Sequence, residues 1–177
     1  MSTTLRDQRK IKCIAWDLDD TVWAGTLLEN DQVTLRDGVR EAIATLDERG
    51  ILHSVASRND HALAMARLEE FGLAQYFLSP QIGWGAKSES VRRIAESINI
   101  GIDTVAFIDD QAYEREEVSF ALPEVLCIDA QEVPRLPTMP EMNPHFITHD
   151  SGMRRNMYLS EEQRREEEER FSGPKEA

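Results

Sequence analysis

Cysteine is scarce in this chain, with only Cys13 and Cys127 among 177 residues, and no apolar run approaches the roughly 20 residues a helix needs to cross a bilayer. Two thiols, each inside a short apolar stretch, exclude a disulfide framework and suit reduced, buried side chains in a cytoplasmic protein. The N-terminal stretch Met1 to Lys12 lacks the apolar centre of a secretory signal. Cations are in deficit too: 20 Lys and Arg face 33 Asp and Glu, for a net charge of −13. Nucleic-acid affinity rests largely on cationic neutralisation, so nucleic acid is not an expected partner, and neither is a membrane. Four histidines, His53, His61, His145 and His149, show no metal-ligand spacing.

What is present is an alternation of strand and helix signals, the pattern of an α/β fold: a Rossmann-like, doubly wound parallel sheet of about five strands. Ile11 to Leu18, Ile51 to Ala56, Phe77 to Ile82, Val105 to Ile108 and Val125 to Ile128 read as strands. Between them, Val39, Ile43 and Leu46 share a helical face closed by Gly50. A helix capped by Asn59 or Asp60 runs to about Phe71 and turns Leu63, Ala66 and Leu68 to the core. Ser88 caps a helix carrying Val91, Ile94, Ala95 and Ile98, and a further helix spans about Tyr113 to Ala121. Pro134, Pro137, Pro140 and Pro144 predict an extended connector, and the mixed Arg and Glu run after Asp150 predicts a solvated helix. The expected divisions are an α/β core over 1–133, a connector over 134–149 and a charged tail over 150–177.

Four strand ends carry chemistry. Asp17-Leu18-Asp19-Asp20-Thr21 follows the first, Ser57-Arg58-Asn59 the second, Lys87-Ser88 the third and Asp109-Asp110 the fourth. In open parallel sheets ligands bind outside the carboxyl ends of the strands, so these groups are expected to meet on one rim. Lys87 at a helix mouth has a use there, because helix N-terminal amides favour phosphate oxygens. Gly83 to Ser88 is not a P-loop, since that motif needs Gly directly before Lys and Ala86 intervenes. Cys13, four strand residues before Asp17, sits roughly 13 Å below it and is assigned to the core.

On these residues the chain resembles the haloacid dehalogenase superfamily of aspartate-based phosphotransferases, over about Ile11 to Asp129. The runs from Asp17 to Trp23, from Ala56 to Asn59 and from Phe107 to Val118 are similar to capless subfamily IIIC, which includes magnesium-dependent phosphatases and the FkbH-like proteins of polyketide pathways. The resemblance implies that Asp17 is the nucleophile, forming an aspartyl-phosphate, and that Asp19 is the acid and then the base. Ser57 and the amide of Arg58 would grip the phosphoryl group, with Asn59 beside them, Lys87 would offset its charge and Thr21 would orient the loop. Mg²⁺ would be held by Asp17, the Asp19 carbonyl and Asp110, with Asp109 either binding through water or holding Lys87.

No cap domain fits in the gaps between these motifs; Trp23 to Leu35 reads as a short flap with Asn30-Asp31 as its turn. An open site suits a phosphate on a large carrier or a small phosphorylated metabolite. The FkbH-like resemblance implies a second activity, loading a glyceryl unit from bisphosphoglycerate onto an acyl carrier protein. Arg154, Tyr158 and the Glu-rich run to Phe171-Ser172-Gly173 resemble the start of that family's downstream region. A phospho-accepting signalling domain is the third reading, disfavoured because its acidic pair precedes the phosphoacceptor, whereas here Asp109-Asp110 comes last.

Overall fold

The computed structural model describes residues 9–30, 32–145, 147–148 and 150–171. Its centre is a parallel sheet of five strands, β1 (Cys13–Trp16), β4 (Leu52–Ser57), β5 (Gln81–Ile82), β6 (Val105–Asp109) and β7 (Leu126–Asp129), in the order β5-β4-β1-β6-β7. β1 lies between β4 and β6, with Trp16 opposite Val55 on one side and Ile108 on the other. The sheet thus switches direction at β1, and the chain leaves β1 directly into Asp17 at the switch point.

Side chains alternate across the sheet, so each strand feeds two cores. Ile14, Trp16, Val55, Ala106 and Ile108 pack with α1 (Val39–Glu48) and α2 (His61–Glu70). Cys13, Ala15, Leu52, Ala56 and Phe107 pack with α3 (Lys87–Ile98) and α4 (Ala112–Ala121). Burial pushes the Cys13 thiol up to about 12, as befits a core residue. Each helix runs back across the sheet, so the starts of α3 and α4 lie on the same rim as the strand ends. Gly50, expected to close α1, does so at φ +85, and the amide of Ile51 returns to the carbonyl of Leu46 at 3.0 Å.

Several local expectations need correcting. In α2 the buried positions are Ala64 and Leu68, whereas Leu63 and Ala66 are exposed. Asp60, one of the two expected caps, accepts from the Leu63 amide, and Leu68 is buried as expected. Ser88 does not cap α3: the N-cap is Ala86, and the Ser88 hydroxyl donates to Glu117 at 2.6 Å. The proline-rich segment is not an extended connector. Ala130–Thr138 and Pro140–Met142 form 3₁₀ turns, with Val133, Leu136 and Met142 in the core. Proline tolerates this because its fixed φ suits 3₁₀ geometry.

The flap is a hairpin of β2 (Trp23–Ala24) and β3 (Thr34–Leu35); its expected turn includes Asp31, which lies outside the described residues, as do Phe146, His149 and the stretch 172–177. The tail forms α5 (Arg154–Phe171), with no buried residue. Among the described residues no helix is long and apolar enough to cross a membrane.

Candidate active site

Asp17 emerges from the central strand, and its position is fixed from three sides. Its amide donates to the Ile108 carbonyl at 2.9 Å, Oδ1 lies 2.8 Å from Lys87 Nζ, and Oδ2 accepts from the Thr21 hydroxyl at 2.9 Å. The Thr21 hydroxyl also lies 3.2 Å from Asp110 Oδ1 and accepts from the Asp110 amide, so one buried side chain ties both acidic loops together. Burial raises the Asp17 carboxyl well above its ordinary value; the Lys87 charge opposes this and Asp109 adds to it.

Asp109 is fully buried, with Oδ2 2.6 Å from Lys87 Nζ and Oδ1 accepting from the Gln111 amide at 2.9 Å. Its Oδ2 thus holds Lys87 from one side, as Asp17 Oδ1 does from the other. Asp110 is half-buried and faces the rim. Burial alone would depress the Lys87 ammonium, but the charges of Asp17 and Asp109 outweigh it and push its pKa up, so the side chain stays cationic.

Carboxylate oxygens of Asp17, Asp109 and Asp110 all lie within 4.8 Å of one another. An all-oxygen set of this kind fits a hard divalent cation. The Asp19 carboxylate is outside it: Oδ1 accepts from Trp23 Nε1 at 2.9 Å and from the Leu27 amide at 3.0 Å, and Oδ2 accepts from Asn59 Nδ2 at 3.1 Å. Asp20, at φ 58, makes the turn, accepting from the Gly25 amide at 2.7 Å. Asp tolerates this left-handed conformation, as Asn does.

Ser57 is buried, and its hydroxyl has no hydrogen-bond partner among the described residues. An orphaned donor at a strand's C-terminal end fits an anion-binding role. Asn59, expected beside the phosphate, instead turns to Asp19 and also accepts from the Asp60 amide at 3.0 Å, so it orients the Asp19 carboxylate. Sequence reasoning assigned no role to two glutamates of α4. Glu114 Oε2 lies 3.2 Å from Lys87 Nζ and its Oε1 3.4 Å from Arg58 Nη2. Glu117 receives the Ser88 amide and hydroxyl at 3.2 and 2.6 Å, clamping the start of α3 to α4.

A family model for haloacid dehalogenase-like hydrolases matches residues 23–114, more than half of the 177. The chain belongs to the haloacid dehalogenase-like hydrolase family. The matched stretch begins after Asp17 and Asp19, so for those two the geometry carries the argument. Among solved structures, this haloacid dehalogenase-like hydrolase is similar to the N-terminal part of a Bacteroides fragilis protein containing a phosphatase domain complexed with Mg (TM-score 0.64, 23% identity, 90% of this chain). The chain spans 43% of that one. It is also similar to a HAD-superfamily hydrolase from Ehrlichia chaffeensis (TM-score 0.57, 15% identity, 69% of this chain and 87% of that one). A third likeness is to the cobalt-bound deoxy-D-mannose-octulosonate 8-phosphate phosphatase of Haemophilus influenzae (TM-score 0.55, 14% identity, 75% of this chain and 90% of that one). At these identities the likeness speaks to the fold. No curated protein matches the chain.

Proposed function

We propose that the protein is a Mg²⁺-dependent phosphohydrolase acting through an aspartyl-phosphate on Asp17. The observation that carries this reading is the shared ammonium of Lys87, held between Asp17 and Asp109 beside three convergent carboxylates. Asp17 and Asp110, with the Asp19 carbonyl, would hold the cation, which when bound supplies charge neutralisation for the phosphoryl oxygens.

The protein's own groups account for the rest. Asp17 attacks phosphorus while Asp19, aimed by Trp23, Leu27 and Asn59, gives a proton to the departing ester oxygen. Asp19 then takes a proton from water, whose oxygen attacks the same phosphorus and frees inorganic phosphate and Asp17. Ser57 Oγ and the Arg58 amide hold the phosphoryl oxygens, and Lys87 offsets their charge.

Turnover of p-nitrophenyl phosphate should require Mg²⁺ and vanish in Asp17→Asn; full activity in that variant sinks the nucleophile assignment. Mg²⁺ at a hundredfold excess over its Kd should also stabilise the wild type by about 2.7 kcal/mol, and Asp110→Asn should lose most of that gain.

A narrower reading rests on the runs from Asp17 to Trp23 and from Phe107 to Val118, which are like subfamily IIIC and FkbH-like proteins. On it, the cytoplasmic substrate belongs to polyketide or other secondary metabolism, and a glyceryl unit passes from bisphosphoglycerate to an acyl carrier protein. Among the described residues the segment from Trp23 to Leu35 forms a two-stranded flap rather than a domain, which supports a bulky partner. Intact-mass analysis of acyl carrier proteins incubated with bisphosphoglycerate should show a glyceryl adduct; unmodified carriers throughout would count against it.

A further inference from the structure

Glu114 is a buried carboxylate for which the mechanism above has no use. It is the third residue of α4, its side chain is 3% exposed, and it is not one of the three convergent aspartates. Lys87 does not need it for neutrality, because Asp17 and Asp109 already lie 2.8 and 2.6 Å from its ammonium. The third carboxylate leaves an excess of negative charge, and the cation that meets it is Arg58, 3.4 Å away on the other oxygen.

Arg58 directly follows Ser57, whose hydroxyl is free to bind an anion, and its side chain is 42% exposed. A half-exposed arginine samples many rotamers, and an ion pair between two such groups holds neither in place. This pair differs because one partner is buried and anchored to Lys87 by its second oxygen. The guanidinium is therefore held at the mouth of the site before substrate arrives, and less of its side-chain entropy remains to be lost on binding.

Building on the phosphohydrolase reading, we propose that Glu114 is a positioning residue, bridging Lys87 and Arg58 so that the Arg58 guanidinium stands ready for the oxygens of the entering phosphate ester. Its role is exerted through Arg58, on substrate affinity, and no proton passes through it.

The test is a double-mutant cycle of wild type, Glu114→Gln, Arg58→Ala and the double variant. It reads KM and kcat for p-nitrophenyl phosphate with Mg²⁺, together with orthovanadate affinity by calorimetry. Glu114→Gln should raise KM and weaken vanadate about tenfold, change kcat less, and add at most about twofold once Arg58 is alanine. Wild-type affinity in Glu114→Gln overturns the proposal, and so does an equal loss in both backgrounds, which would place its action on Lys87 or on the fold. If Glu114→Gln lacks a cooperative melt, Glu114→Asp reads the same coupling, since its shorter reach should break the bridge; normal KM and vanadate affinity there also overturn it. Failure of the phosphohydrolase reading looks different: wild type shows no Mg²⁺-dependent turnover, while the vanadate arm still reports the coupling.

Discussion

At the scale of single residues, Lys87 carries the site. Its side chain is 5% exposed, and Asp17, Asp109 and Glu114 all lie within 3.2 Å of its ammonium. Lys87→Met therefore strands three buried acids, and should lower unfolding stability by about 3 kcal/mol as well as turnover by at least about a hundredfold. Chemical denaturation and steady-state kinetics check the two parts separately. The groups around Lys87 were legible in sequence to different degrees. Asp17, Ser57 and Asp109 each stand at the end of an apolar run, and strand ends in a parallel sheet share a rim. Glu114 and Glu117 were not legible as site residues, because the spacing of charges along a helix does not say which of them faces the protein. Only the packing of α4 against α3 shows that both are turned inward.

Among the elements, the β2–β3 hairpin matters most, because it aims Asp19, the proposed acid. Trp23 is fully buried and stacks near Phe71, with ring centroids 6.2 Å apart, while its indole nitrogen holds Asp19. Trp23→Phe keeps most of the packing and removes that hydrogen bond. It should lower kcat about tenfold with a smaller change in melting temperature, which paired kinetics and calorimetry would show. Gly50 links α1 to the tail: a Cβ there would come within 3.0 Å of Arg154 Nη1 and 3.1 Å of the Ser151 carbonyl, at a φ of +85. Gly50→Ala should cost at least about 1 kcal/mol in denaturant unfolding and loosen the start of α5. The proline-rich segment shows where reading by element ran out. Prolines mark a break in regular structure, but Val133, Leu136 and Met142 gain their burial from α1 and the adjacent turns, a contact that local composition does not encode.

Over the whole molecule, one buried histidine couples stability to acidity. His53 is fully buried in β4, accepts from Trp16 Nε1 at 2.9 Å, and burial pushes its pKa down from 6.5 to about 3. The unfolded chain binds this proton more readily, so the stabilisation present above 6.5 is lost as pH falls toward about 3. Unfolding free energies measured across that window should slope less steeply in His53→Gln, whose side-chain oxygen can still accept from Trp16.

The tail helix has its own consequence. Arg154 donates to the Gly50 carbonyl at 3.1 Å and Arg155 pairs with Asp47 at 3.0 Å, both next to where β4 begins, so α5 starts at the end of the sheet opposite the catalytic rim. Further along the helix, Glu162 lies 3.2 Å from Ser79, just ahead of β5, so α5 crosses that same end, and a bead, dye or fused module carried on it would leave the entrance unobstructed. Protein immobilised through that end should still process bulky phosphate esters at the rate of free protein.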